Sequence, residues 1–228
     1  MVASLLPEQA KSEKMDDYGP MLTVFRRMLH SRRVMGMLLS RMATMIIMIP
    51  SIAFLPLLMK EFMDATGTEI GIVVASRTLV NAILQTPFGR WADYWHKNKI
   101  IFIGSSIISA GIFAVPFAGG LLQLVLLFML IGVGEAVVWP ALGALATEEG
   151  RHYGQGSMMG VFNMAMSAGL FVGAMGVGSL VDLIGLAWAF YITALFLFVC
   201  TVAAVAMIGL TPPDSSRDSK ALTTLGSK

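Results

Sequence analysis

Three charged side chains stand where the chain is otherwise apolar: Arg41, Arg77 and Glu135. Burying such a group in hydrocarbon costs at least about 2.5–3.5 kcal/mol on insertion scales, so one that stays there usually has a task. Glu135 sits in Gly132-Val133-Gly134-Glu135, far from either end of its apolar stretch. A carboxyl at that depth is either protonated and neutral or paired with a cation. The first state suits a proton carrier whose access alternates. The second suits a counter-charge, for which Arg41 is the expected partner. A structural hydrogen bond to nearby backbone is the plainer role. Trp139 lies four residues on and could stack on a flat ligand or simply fill the core. Pro140 frees a carbonyl and permits a kink. Arg41 lies about 10 Å into its own stretch at 1.5 Å per residue, from where it can also snorkel to the surface. Arg77, Asn81 and Gln85 recur at every fourth position, a spacing that places all three along one helix face. Such a stripe is expected to line a wet cavity or an interface with another protein.

The residues needed for enzymatic chemistry are not arranged for it. His30, His96 and His152 fall outside the apolar stretches, so no Ser–His pair within the membrane is expected. No grouping of His, Cys or paired Asp has metal-ligand spacing. Cys200 is the only cysteine and reads as a small buried hydrophobe. Neither a catalytic residue, a metal nor a cofactor is expected.

The elements that carry these residues are six apolar stretches, at 34–59, 70–88, 100–117, 121–146, 157–181 and 187–210. A transmembrane helix needs about 20 such residues, and each stretch meets that within a few. Hydrophobic residues make up 56% of the chain and charged ones 13%, against roughly 25% charged in soluble domains. The third and sixth stretches lack the charged face a soluble amphipathic helix would show. Lys and Arg alternate between the connecting segments. Lys11, Lys14, Arg26, Arg27, Arg32, Arg33, Arg90, Lys97, Lys99, Arg151, Arg217, Lys220 and Lys228 lie on one side, and only Lys60 on the other. Short loops rich in Lys and Arg stay cytoplasmic. The expected organisation is a cytoplasmic segment 1–33 with a basic amphipathic stretch, a six-helix domain 34–210 and a cytoplasmic tail 211–228. The expected location is the plasma or inner membrane, with lipid as one partner. A net charge of +2 gives no reason to expect nucleic acid. In the fifth stretch, Ala165, Gly169 and Gly173 repeat at four-residue spacing, as do Ala174 and Gly178. Small residues so spaced let helices pack closely. Residues 147–156 read as a polar inner loop.

Between the second and third stretches the chain reads Gly89-Arg90-Trp91-Ala92-Asp93-Tyr94-Trp95-His96-Lys97-Asn98-Lys99. This resembles the signature loop of the major facilitator superfamily, Gly-x-Leu-Ala-Asp-Arg-x-Gly-Arg-Lys. Gly89, Ala92 and Asp93 match and Lys97 keeps the basic character, while Trp91, Tyr94 and His96 depart from the pattern. The fourth stretch, with Gly132-x-Gly134-Glu135-Ala136-x-x-x-Pro140-Ala141-Leu142, and the glycine-rich fifth, ending in Gly178-Ser179-Leu180-Val181-Asp182-Leu183-Ile184-Gly185, are similar to the tenth and eleventh helices of such transporters. The likeness is therefore to the C-terminal six-helix half of a twelve-helix fold. It implies an all-helical membrane domain whose first and fourth helices line a central cavity. The second and fifth would face the other half, and the third and sixth would lie outermost. Asp93 would brace the start of the fifth helix near Gly156 and Ser157, and the loop of Gly89, Asp93 and Lys97 would gate the inner side. The implied function is secondary transport of a small organic solute, with proton-coupled efflux as its form. The partner would be a second copy or a separately encoded N-terminal half, meeting the chain near Arg77. The competing reading is a non-transporting interaction subunit or an inactive fragment of a split gene.

Overall fold

A computed structural model of the chain describes residues 21–209, the side chains of 21, 22 and 91–94 excepted. The expected brace from Asp93 therefore lies outside the described residues, as do segments 1–20 and 210–228. Among the described residues, six helices are long and apolar enough to cross a membrane. They are Arg32–Met63, Gly67–Arg90, Lys97–Phe117, Leu121–Tyr153, Gln155–Ile184 and Leu186–Gly209, the first to sixth spans.

Local chemistry sets where these helices break. Asp64 ends the first span in the left-handed region at φ 49°. Thr66 and Glu69 then form a reciprocal cap on the second. The Thr66 amide and hydroxyl donate to Glu69 Oε2 at 2.7 and 2.8 Å, and the Glu69 amide donates back to Thr66 Oγ1 at 3.4 Å. This satisfies amides that the first helical turn leaves without partners. Between the third and fourth spans, the Gly119 amide donates to Gln123 Oε1 at 2.8 Å. Single glycines make the last two turns, Gly154 at φ 88° and Gly185 at φ 89°, where a side chain would be strained. The expected polar loop at 147–156 is accordingly helical as far as Tyr153. The first span is not uniform either. Its α-helical ladder gives way to a π-helical turn at Pro50–Phe54, because Pro50 and Pro56 each lack the amide the ladder needs.

The fourth span is the hub, packing on the second, third and fifth, while the first packs on the fifth and sixth. Glycines permit the closest of these approaches. A Cβ on Gly132 would lie 2.5 Å from the Arg77 carbonyl, and one on Gly134 would lie 2.8 Å from the Gly104 carbonyl. On the fifth span, a Cβ on Gly173 would meet the Ile46 Cα at 2.9 Å, and Gly169 abuts the Met42 carbonyl in the same way. Gly169 and Gly173 thus pack inward on the first span. A Cβ on Gly178 would lie 4.0 Å from the Phe54 ring, at ordinary van der Waals distance. The bundle does not bury its helices equally. The most apolar windows of the second and fifth spans are only 17% buried, against 39–56% in the other four. A short helix, Met21–His30, precedes the first span. It turns Val24 and Met28 inward and leaves Arg26 and Arg27 exposed.

Candidate functional site

Glu135 and Arg77 meet in the middle of the bundle. The Arg77 Nε donates to Glu135 Oε2 at 2.9 Å, and its Nη2 donates to Oε1. Both residues are buried, at 6% and 4% exposure. The two parallel bonds make this the strong, oriented form of the arginine–carboxylate pair. Gly132 makes it reachable, because the second span can lie backbone-close to the fourth three residues before Glu135. Together the pair is neutral, which is how two charges persist at this depth.

This corrects two expectations. The partner of Glu135 is Arg77, not Arg41, and Arg77 is satisfied within its own bundle rather than left for another protein. The stripe also divides. Each step of four residues rotates the side chain by about 40°, so Arg77 and Gln85 diverge by about 80° along the helix. Arg77 turns in, Gln85 is exposed, and Asn81 is intermediate. The buried Asn81 Nδ2 has no hydrogen-bond partner.

Arg41 lies where the first, fourth and fifth spans meet. Its guanidinium carbon stands 4.8 Å from the Phe162 ring centre and 5.8 Å from that of Trp139. Its Nη2 donates to the Met166 sulfur at 3.1 Å, and its buried Nε has no partner. A cation over aromatic rings gains about 0.5–2 kcal/mol according to its desolvation, less than insertion of the charge costs. Trp139 therefore serves at least as one wall of a cationic niche.

A second charged cluster ties together one end of the bundle. Arg33, at the start of the first span, bonds Glu148 at 2.9 Å and Glu149 at 3.1 Å. Lys97, at the start of the third, bonds Glu148 at 2.7 Å. The signature-loop lysine thus reaches the end of the fourth span. A Cβ on Gly89 would lie 3.8 Å from the Cβ of Pro140 on the fourth span, an ordinary contact distance. Sequence reasoning missed Glu148 and Glu149. Two adjacent carboxylates on the side crowded with Lys and Arg were the available signal.

Residues 34–225 match the family model of the Major Facilitator Superfamily. The chain belongs to that superfamily. It is 28% identical over 145 residues to an uncharacterized MFS-type transporter of Methanocaldococcus jannaschii, a match covering 64% of this chain and 37% of that one. Multidrug resistance protein 2 of Bacillus subtilis is 26% identical over 160 residues, covering 69% and 39%. The fosmidomycin resistance protein of Escherichia coli is 29% identical over 103 residues, covering 44% and 25%. Each match spans well under half of the relative's own length. With six apolar helices in this family, the chain is an integral multi-pass membrane protein. Its bundle is that of half a major-facilitator fold, and its family is one of transporters rather than enzymes.

Proposed function

We propose that the chain is a half-transporter, moving a small organic solute out of the cell in exchange for protons, with a second six-helix bundle closing the pathway. The observation that carries this reading is the sparse burial of the second and fifth spans, whose most apolar windows are each only 17% buried. A solute path between two bundles needs a sparsely buried face on each. The resistance proteins among the relatives support efflux as the direction. The distribution of Lys and Arg supports a cytoplasmic side for both termini.

Within the half, the Arg77–Glu135 pair is the coupling element. Parting the pair requires Arg77 to move away from the fourth span, which ties the state of the pair to the arrangement of the second span against the fourth. The Arg33–Lys97–Glu148–Glu149 cluster holds the basic end of the bundle shut and must part when that side opens. The competing reading, an inactive fragment, draws on one specific observation: Arg77 is already satisfied internally and makes no demand on a partner.

Transport decides between them. The chain and any associated bundle would be reconstituted in vesicles that enclose a pH-sensitive dye. Three solutes sharing a ring would then be added outside: 2-naphthalenesulfonate, 2-naphthalenemethanol and (2-naphthylmethyl)trimethylammonium. We expect a solute-dependent proton flux that Glu135→Gln abolishes. Absence of flux with all three, in vesicles holding associated bundles, would support the fragment.

A further inference from the structure

We infer that Arg41 is the anchor of an organic anion, an oxyacid group such as sulfonate, phosphate or carboxylate on an apolar body. The inference deepens the transporter reading and rests on it for how the anion arrives and leaves. Arg77 and Glu135 cancel each other, which leaves Arg41 as the uncompensated charge among these three. No described carboxylate bonds it, and its Nε is buried without a partner. A guanidinium is planar and presents paired N–H groups that match an oxyacid group.

The surroundings match the rest of such a ligand. Phe162 and Trp139 stand against the guanidinium at 4.8 and 5.8 Å, and Met166 supplies a weak acceptor at 3.1 Å. These groups keep the cation in place without neutralising it. Trp139 and Met166, both only partly buried, leave apolar surface beside the charged group for a ring or chain. Arg41 itself is only partly buried, so part of its side chain stays open to an approaching anion although its Nε is buried. The position joins three spans, so an anion bound there would touch the first, fourth and fifth together.

Binding tests this without requiring transport. The full chain in phosphatidylcholine nanodiscs would be titrated calorimetrically with the three naphthalene solutes, using empty nanodiscs as reference. We expect the sulfonate to bind at least about tenfold more tightly than the alcohol or the ammonium. We expect Arg41→Gln to lose about tenfold in sulfonate affinity, the size of one charge-assisted hydrogen bond. Arg41→Lys keeps the charge but loses the flat fork, and should show a smaller loss in the same direction. It also serves as the test if the Gln variant does not fold. Equal binding of the three solutes, tighter binding of the ammonium, or sulfonate affinity unchanged in both variants would overturn the inference. Nanodiscs containing phosphatidylglycerol separate the sources. Sulfonate binding that survives there assigns a soluble anion, and binding that is competed away assigns a lipid headgroup at the same anion site. Sulfonate binding without any proton flux would remove the transporter reading alone. Flux combined with Arg41-independent binding would remove the anion site alone.

Discussion

Arg77 and Glu135 neutralise each other in a place where either alone would be costly. Replacing only one, as Arg77→Met or Glu135→Met, strands a buried charge and should destabilise the bundle by about 3–5 kcal/mol. The double replacement removes both charges and should cost far less than the sum of the two. Unfolding equilibria of the four proteins in lipid bicelles, read as a double-mutant cycle, give the coupling directly. Additive losses would mean that the two side chains do not act as a pair. Both charges were visible in the sequence, since each interrupts an apolar stretch. Their pairing was not. Spacing within one helix sets which residues share its face, but it carries no information about the register between helices. That register is set here by Gly132, whose missing side chain lets Arg77 come close. Arg41 was legible in the same partial way: its depth could be read, but its aromatic neighbours on two other spans could not.

At the scale of helices, close packing depends on a few glycines and can be probed through them. Gly132→Leu pushes a side chain into the Arg77 carbonyl and should cost about 1–3 kcal/mol by overpacking. Gly143 faces open space, so Gly143→Ala should be neutral or stabilising by up to about 1 kcal/mol. Thermal unfolding of the two variants in the same detergent checks the contrast, and equal behaviour would contradict the assigned packing. Glu148 is the hinge of the charged cluster, because it accepts from both Arg33 and Lys97. Glu148→Gln should therefore loosen that end, raising the rate at which a cysteine at Ser157 is alkylated in sealed vesicles; an unchanged rate would leave the cluster without a gating role. The six spans themselves were readable from length and apolarity. Their ends were less so. Hydropathy marks where the membrane stops, but a helix such as the fourth runs past that point through Glu148, Glu149 and Arg151 to Tyr153.

For the whole molecule, alternation of Lys and Arg predicts which ends share a side, and the cluster joining the start of the first and third spans to the end of the fourth agrees with it. Cysteines at Thr66 and Gln155 should accordingly label from opposite sides of sealed membranes, with Gln155 cytoplasmic; labelling from one side would end the topology. The proposed partner surface was legible only through the family resemblance, because exposure of a helix to lipid and exposure to another bundle leave similar apolar sequences. The polar stripe pointed to the second span for a reason that does not hold, since Arg77 turns inward. What supports the proposed face instead is the sparse burial of the second and fifth spans. The most direct test of a two-bundle transporter is cysteine cross-linking in native membranes, on a Cys200→Ser background. Single cysteines would be placed at Ile83 and Met175, which are 63% and 62% exposed on those two spans, and at Leu195, 62% exposed on the sixth. We predict rapid cross-linking of Ile83 and Met175 to a second bundle, its mass revealing another copy or a different chain, and little at Leu195. Cross-linking at Ile83 and Met175 no faster than at Leu195, with the chain remaining a monomer, would contradict the account.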